Sequence, residues 1–168
     1  MLKRILTWTG VGLGAVVVIG AVSYAFRSDP WGPLSGRALR GEVVREPVGD
    51  WSWTDAYSTI AVETRPAAPY SVTTVCFTHE GKLYVPANSG SSKSWTHFAV
   101  SDPRVRLKIG DEIYPVRATR VTDEALAETL RAAAQAKYDF PPPKPGEPPR
   151  FTDVWVFRME SDVDVAAR

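Results

Sequence analysis

Metal and thiol chemistry have almost no material in this sequence. One cysteine, Cys76, and two histidines, His79 and His97, occur in 168 residues. A single cysteine closes no intramolecular disulfide and supplies no zinc cluster, so Cys-ligated structural zinc is excluded and no metal site is expected. An excess of charge of one sign is missing too: 20 Lys and Arg stand against 19 Asp and Glu. Setting aside Lys3 and Arg4, which precede an apolar run, leaves 18 basic side chains against the same 19 acidic ones. That remainder lacks the broad positive field used on nucleic acid, and no nucleic-acid partner is expected. The chain also has no G-x-S-x-G, no H-E-x-x-H, no Walker loop and no G-x-G-x-x-G after a strand. No acid–base pair stands out, so any catalysis would be carried by a bound cofactor.

The longest continuous feature lies at the N-terminus. Residues 5–26 are 22 uncharged positions, of which 15 are apolar and four are Gly, the others being Thr7, Thr9 and Ser23. As a helix the run extends about 33 Å, enough to cross a hydrocarbon core of about 30 Å, and it has no polar stripe of the kind a soluble helix shows. The expectation is a single-pass membrane anchor within residues 1–26, touching lipid through 5–26. Short basic tails stay inside, so Lys3 and Arg4 would place the remaining chain outside the cytoplasm. The alternative is a cleaved signal peptide, because Ser23 and Ala25 are small residues suited to a cut after Ala25.

Residues 27–50 are rich in Gly, Pro and mixed charge and read as a juxtamembrane connector, with a short strand around 39–44. Residues 51–168 read as one β-rich domain, long enough for one core. Strands are expected at 58–64 and 70–78, the second hairpinned through Glu80-Gly81 to a strand at 82–87. Residues 104–109 alternate basic and apolar side chains, and Gly110-Asp111 turns them into a strand at 112–121. A last strand at 152–160 places Val154, Val156 and Arg158 on one face and Trp155, Phe157 and Met159 on the other. Two helices interrupt the strands. One spans 92–101 and stops at Asp102-Pro103; the other starts at Thr122-Asp123-Glu124 and runs to Tyr138, with Leu126, Leu130, Ala133 and Ala134 as its buried stripe. Six prolines in the nine residues 141–149 make a stiff extended connector. The fold class expected is mainly β with α (α+β): a small antiparallel barrel with two helices, preceded by one N-terminal transmembrane helix.

Chemistry concentrates at 88–94, Asn-Ser-Gly-Ser-Ser-Lys-Ser, which leaves a strand and enters a helix. Backbone N–H groups, the hydroxyls of Ser91 and Ser92 and the ammonium of Lys93 would converge there on the positive end of a helix, a place for an anion such as phosphate. The alternative is a plain N-cap in a solvated loop. A two-residue turn at Gly110-Asp111 sets Arg104 opposite Arg117, so the two guanidinium groups either fan into solvent or share an anion or carboxylate. Cys76 reads as a small buried apolar residue, His79 as exposed beside its turn, and His97 as solvent-facing or structural, with haem ligation as its functional alternative.

The residues Leu83-Tyr84-Val85-Pro86-Ala87-Asn88 through Ser91-Ser92-Lys93, the following Trp95, and Ser101-Asp102-Pro103-Arg104-Val105 resemble the FMN-binding split-barrel family of pyridoxamine 5′-phosphate oxidase and the deazaflavin-dependent reductases. The resemblance covers roughly residues 50–160. It implies a split barrel acting as a homodimer, with FMN or deazaflavin F420 in a groove at the subunit interface. By the same resemblance Ser92 and Lys93 match the phosphate loop, and Thr73 and Thr74 match the strand beside the isoalloxazine. Two positions depart from the oxidase pattern: Ser92 stands where an Arg occurs, and Tyr70 and Ser71 open a strand that a basic residue opens there. The function expected is a membrane-anchored flavin-type oxidoreductase that transfers hydride or electrons to a small or quinone-like acceptor. The alternative is a non-catalytic split-barrel binding or assembly module at the membrane surface.

Overall fold

Alternation of buried and open side chains, the period of a half-buried strand, governs how this chain enters its sheet. The structure, a computed structural model, describes Gly20 and residues 28–139 and 153–162. The anchor expected over 5–26, Gly20 apart, and the proline-rich connector lie outside the described residues. No helix among the described residues is long and apolar enough to cross a membrane.

In chain order the elements are β1 (Glu42–Val43), β2 (Ile60–Thr64), β3 (Tyr70–Thr74), β4 (Phe77–His79), β5 (Lys82–Ala87), α1 (Ser94–Ser101), β6 (Arg104–Ile109), β7 (Glu112–Arg120), α2 (Glu124–Tyr138) and β8 (Trp155–Ser161). Short 3-10 turns at Ser52–Ala56 and Gly90–Ser92 precede β2 and α1. The strands form one curled, antiparallel half-barrel in the order β3-β2-β6-β7-β8-β5-β4, with β1 added in parallel to β7. With two helices packed on it, the fold is α+β.

The hairpin β6–β7 turns where Gly and Asp supply it. Gly110 takes φ 63°, a conformation that costs glycine little, and the register sets Leu107 against Tyr114, Val105 against Val116 and Arg104 against Arg117. Val105, Leu107 and Ile109 are buried, while Arg106 and Lys108 between them are half-buried. Their side of the sheet closes on a core containing Val62, Leu83, Val85, Trp95 and Phe157. A second, smaller core forms on the other face, where α2 lays Leu130 against Phe77, Tyr84 and Val156. The α2 start is capped as expected: the Asp123 carboxylate accepts the Leu126 N–H at 2.8 Å. Full burial of Leu130 contributes about 2 kcal/mol of transfer energy.

One expected strand proves to be two. The run 70–78 breaks at Val75-Cys76, so that β3 pairs with β2 and only β4 pairs with β5. The break is made by a side chain from α2. The Tyr138 hydroxyl accepts the Cys76 N–H at 3.1 Å and donates to the Cys76 carbonyl at 2.6 Å, taking both main-chain groups out of any ladder. The expected tight turn survives for the shorter hairpin, with Glu80 and Gly81 both at positive φ. His79, expected to be exposed, is half-buried in β4.

Residues 28–44 lie against β2, β3, β6 and β7. The Glu63 carboxylate, on β2, accepts the Leu39 N–H at 2.6 Å and pairs with Arg106 of β6 at 2.6 Å. Lys108 holds Asp29 at 2.6 Å, and Gly36 exchanges both backbone hydrogen bonds with Ser71. A β-carbon at Gly36 would stand 2.4 Å from the Ser28 carbonyl, so the crossing requires glycine.

Candidate functional site

The exchange between Gly36 and Ser71 fixes which way the edge of β3 faces. In a strand the N–H and C=O of one residue point to the same side, and the side alternates. Both groups of Ser71 point to Gly36, away from β2. The peptide groups of Thr73, two residues on, therefore also point away from β2, where among the described residues no strand pairs with them. Across from this edge runs the end of β5. The Pro86 carbonyl accepts the Thr74 hydroxyl at 3.4 Å, and Pro86 has no N–H to offer in return.

Between these edges lies a groove of about 470 Å³, within the range of ligand sites. Its walls are Tyr70, Val72, Thr73 and Thr74 of β3, Pro86 and Ala87 of β5, and Trp95 of α1. Asn88, Lys93 and Ser94 also line it, as do residues 32–35. Trp95 is buried and packs on Phe157, which holds α1 against the barrel, and Tyr70 meets Phe98 edge to face. Lys93 is exposed, and none of the described carboxylates forms an ion pair with it.

Of the residues singled out in the sequence, Thr73, Thr74 and Lys93 come together in this groove. Ser91 and Ser92 do not line it. The Ser92 N–H and hydroxyl both donate to the Ser89 carbonyl, as a cap of the 3-10 turn. The Ser91 N–H donates to the Asp153 carboxylate at 2.8 Å, and the Ser91 hydroxyl donates to the same oxygen. These bonds hold the Asp153 carboxyl below the usual range, the hydroxyl contributing most, with help from Trp155 and Arg120. Arg104 and Arg117 face each other in register, yet each keeps its own carboxylate. Arg104 binds Asp102 through two nitrogens, and Arg117 binds Asp162 at 2.9 Å. The Arg104 guanidinium in turn keeps the Asp102 carboxyl low. Neither arginine reaches the groove lining. His97 is exposed, with Nε2 2.7 Å from the Ser91 carbonyl and its ring edge on Trp155.

Asp153 is the residue that sequence reading missed. It follows a long connector, 62 positions from Ser91, and no local pattern marks it. It takes φ 55°, a left-handed conformation that Asp tolerates better than most side chains. Its carbonyl also accepts the Gly90 N–H at 2.8 Å, while Trp155 lies over Gly90 so closely that a β-carbon there would stand 2.3 Å from the ring. Arg120 stacks on the same indole at 3.4 Å. Among the described residues no group of three His, Cys, Asp or Glu could hold a metal ion.

Cys76 lies apart from the groove, fully buried beside Lys137, whose ammonium also pairs with Asp55. Burial pushes its thiol up to about 11.

Comparison with protein-family models and with curated proteins gives no match. Among solved structures, the chain is similar to a conserved hypothetical protein from Mycobacterium tuberculosis, with 13% identity, a TM-score of 0.51, and coverage of 68% of this chain and 82% of that one. A provisionally assigned pyridoxamine 5′-phosphate oxidase from Listeria innocua aligns with 16% identity and a TM-score of 0.48, over 65% of this chain and 87% of that one. An FAD-binding protein from Mesorhizobium loti aligns with 15% identity and a TM-score of 0.46, over 65% and 84%. At these identities the likeness concerns the fold.

Proposed function

We propose that this chain is a membrane-tethered split barrel that holds a flavin-type cofactor in the groove between β3 and β5. It works as an oxidoreductase, passing hydride or electrons to a small or quinone-like acceptor. The observation that carries this reading is the outward-facing peptide of Thr73 in a groove that also contains Lys93. The pyrimidine edge of an isoalloxazine alternates carbonyl and N–H groups, and a free strand edge offers the matching donor and acceptor. Val72, Ala87 and Trp95 supply apolar surface for the ring, and Lys93 supplies one positive charge for a phosphate. When bound, the cofactor provides the redox chemistry; the chain's own residues bind the ring, orient it and keep water from one face. The uncharged run at 5–26 is the tether, and a second copy completes the groove as a homodimer.

One observation favours a non-catalytic binding module instead. The Ser91 donors are already taken by Asp153, and among the described residues lining the groove Lys93 is the one cation. Flavin titration of the full-length chain in detergent, followed by fluorescence quenching, separates the two readings. Thr73→Pro deletes the outward N–H without touching a ladder bond to β2, and should weaken riboflavin binding about tenfold, the worth of one hydrogen bond. Thr73→Ala keeps the peptide and should bind as the wild type does. Absence of any binding by riboflavin, FMN, FAD and F420 would favour the module.

A further inference from the structure

We propose that Asp153 is a specificity-determining residue: an internal anion that keeps a phosphomonoester out of the Ser91 corner and so selects a flavin-type cofactor whose phosphate is a diester. The inference rests on the flavin reading of the groove and deepens it.

A loop leaving a strand for a helix offers an incoming anion its N–H groups and hydroxyls. In this chain those of Ser91 already serve a carboxylate. Both the N–H and the hydroxyl of Ser91 donate to one oxygen of Asp153, and the other oxygen accepts the Trp155 indole N–H at 3.0 Å. The Asp153 main chain is tied to the same turn through the Gly90 N–H, so the carboxylate is built in rather than resting on a mobile side chain. Two described side chains flank this turn. Arg120 is stacked on Trp155 beside Asp153, and His97 is turned to the Ser91 carbonyl. Among the described residues lining the groove, the one ammonium is that of Lys93.

A phosphomonoester carries about −1.5 to −2 charges at neutral pH and needs several donors for its three terminal oxygens. Here it would meet the ammonium of Lys93 but find the Ser91 donors it requires already holding a carboxylate. A phosphodiester carries a single negative charge, which Lys93 alone balances, and it can pass along the rim without entering the Ser91 corner. F420 carries such a diester, and each phosphate of the FAD pyrophosphate is likewise doubly substituted with one charge apiece, whereas FMN is the monoester.

The test is equilibrium titration of the full-length chain in detergent with riboflavin, FMN, FAD and F420, read by fluorescence quenching. In the wild type FAD or F420 should bind at least about tenfold tighter than FMN, and the arm that does so identifies the diester source. Asp153→Gly keeps the positive φ, vacates the corner and should tighten FMN about tenfold, the worth of one or two charge-assisted hydrogen bonds, with riboflavin unchanged. Ser91→Ala should leave wild-type FMN affinity unchanged but abolish the gain in the Asp153→Gly background. Asp153→Asn, which keeps the shape and removes the charge, guards against loss of fold and should give part of the gain. FMN binding tighter than both diesters in the wild type overturns the inference and leaves the flavin reading standing. So does a change in Asp153→Gly that riboflavin shares equally. Failure of all four compounds to bind overturns the flavin reading and this inference with it.

Discussion

Replacing Arg106 by Met tests whether the buried carboxylate of Glu63 is held by its charge partner. The Glu63 side chain is 5% exposed and accepts three hydrogen bonds, two from Arg106 at 2.9 and 2.6 Å and one from the Leu39 N–H at 2.6 Å. Met fills much of the same volume but leaves the carboxylate with a single backbone donor. Removing one partner of a buried pair costs about 3–5 kcal/mol, and the lower end applies because the Arg106 side chain is 31% exposed and solvent screens part of the attraction. A loss of about 3 kcal/mol corresponds to a fall in Tm of roughly 6–12 °C for a chain of this size. Urea unfolding at pH 7, followed by tryptophan fluorescence, should show a lower midpoint with an unchanged m-value. The double variant Glu63→Met/Arg106→Met removes the stranded charge and should lose less than Arg106→Met alone. A loss below about 1 kcal/mol for Arg106→Met, or a double variant worse than the single, would refute the reasoning.

Four other outcomes follow from the geometry. Gly90→Ala sets a methyl group into the Trp155 ring and should cost about 1–3 kcal/mol with a changed near-ultraviolet dichroism of Trp155. Leu130→Ala opens a cavity between α2 and β4 and should cost about 2–5 kcal/mol in the same urea assay. Cys76, its thiol pushed up to about 11 by burial, should react with a thiol reagent at pH 8 at least about a hundredfold slower in the folded chain than in denaturant. Burial likewise raises the Tyr138 hydroxyl to about 12; both groups fold in their neutral forms, so their contribution is complete below pH 9 and is lost as pH rises through 11 to 12, which an alkaline unfolding series measures.

The parts of this fold that show in the sequence are those specified locally. The β6–β7 register follows from one glycine turn and a strict alternation, and the α2 cap from a single aspartate followed by a helical stripe. The faces of β8 follow from the period of two, with Phe157 and Met159 in the barrel and Val156 under α2. The break at Cys76 does not show, because its cause is a hydroxyl supplied from Tyr138, 62 positions away. The candidate site divides in the same way. Thr73, Thr74 and Lys93 belong to short segments whose strand and loop character is visible, but the anion that fills the Ser91 corner arrives from Asp153, beyond the proline-rich connector. A serine-rich loop entering a helix advertises donors; it cannot advertise that they are already satisfied. The pairing of Arg104 with Arg117 was legible as a register, whereas their separate partners depended on Asp102 and Asp162 lying at strand ends.

Pro86 has a consequence for how the barrel stays unsealed. Its carbonyl points across the gap to Thr74, so its ring nitrogen lies on that same margin, the side of β5 where a missing donor breaks no rung with β8. Two facing strand margins tend to zip together, and a missing donor near the end of β5 denies that zipper a rung. The cleft is thus wedged apart by the covalent structure of the backbone, and a guest finds it ready-made instead of having to pry it open.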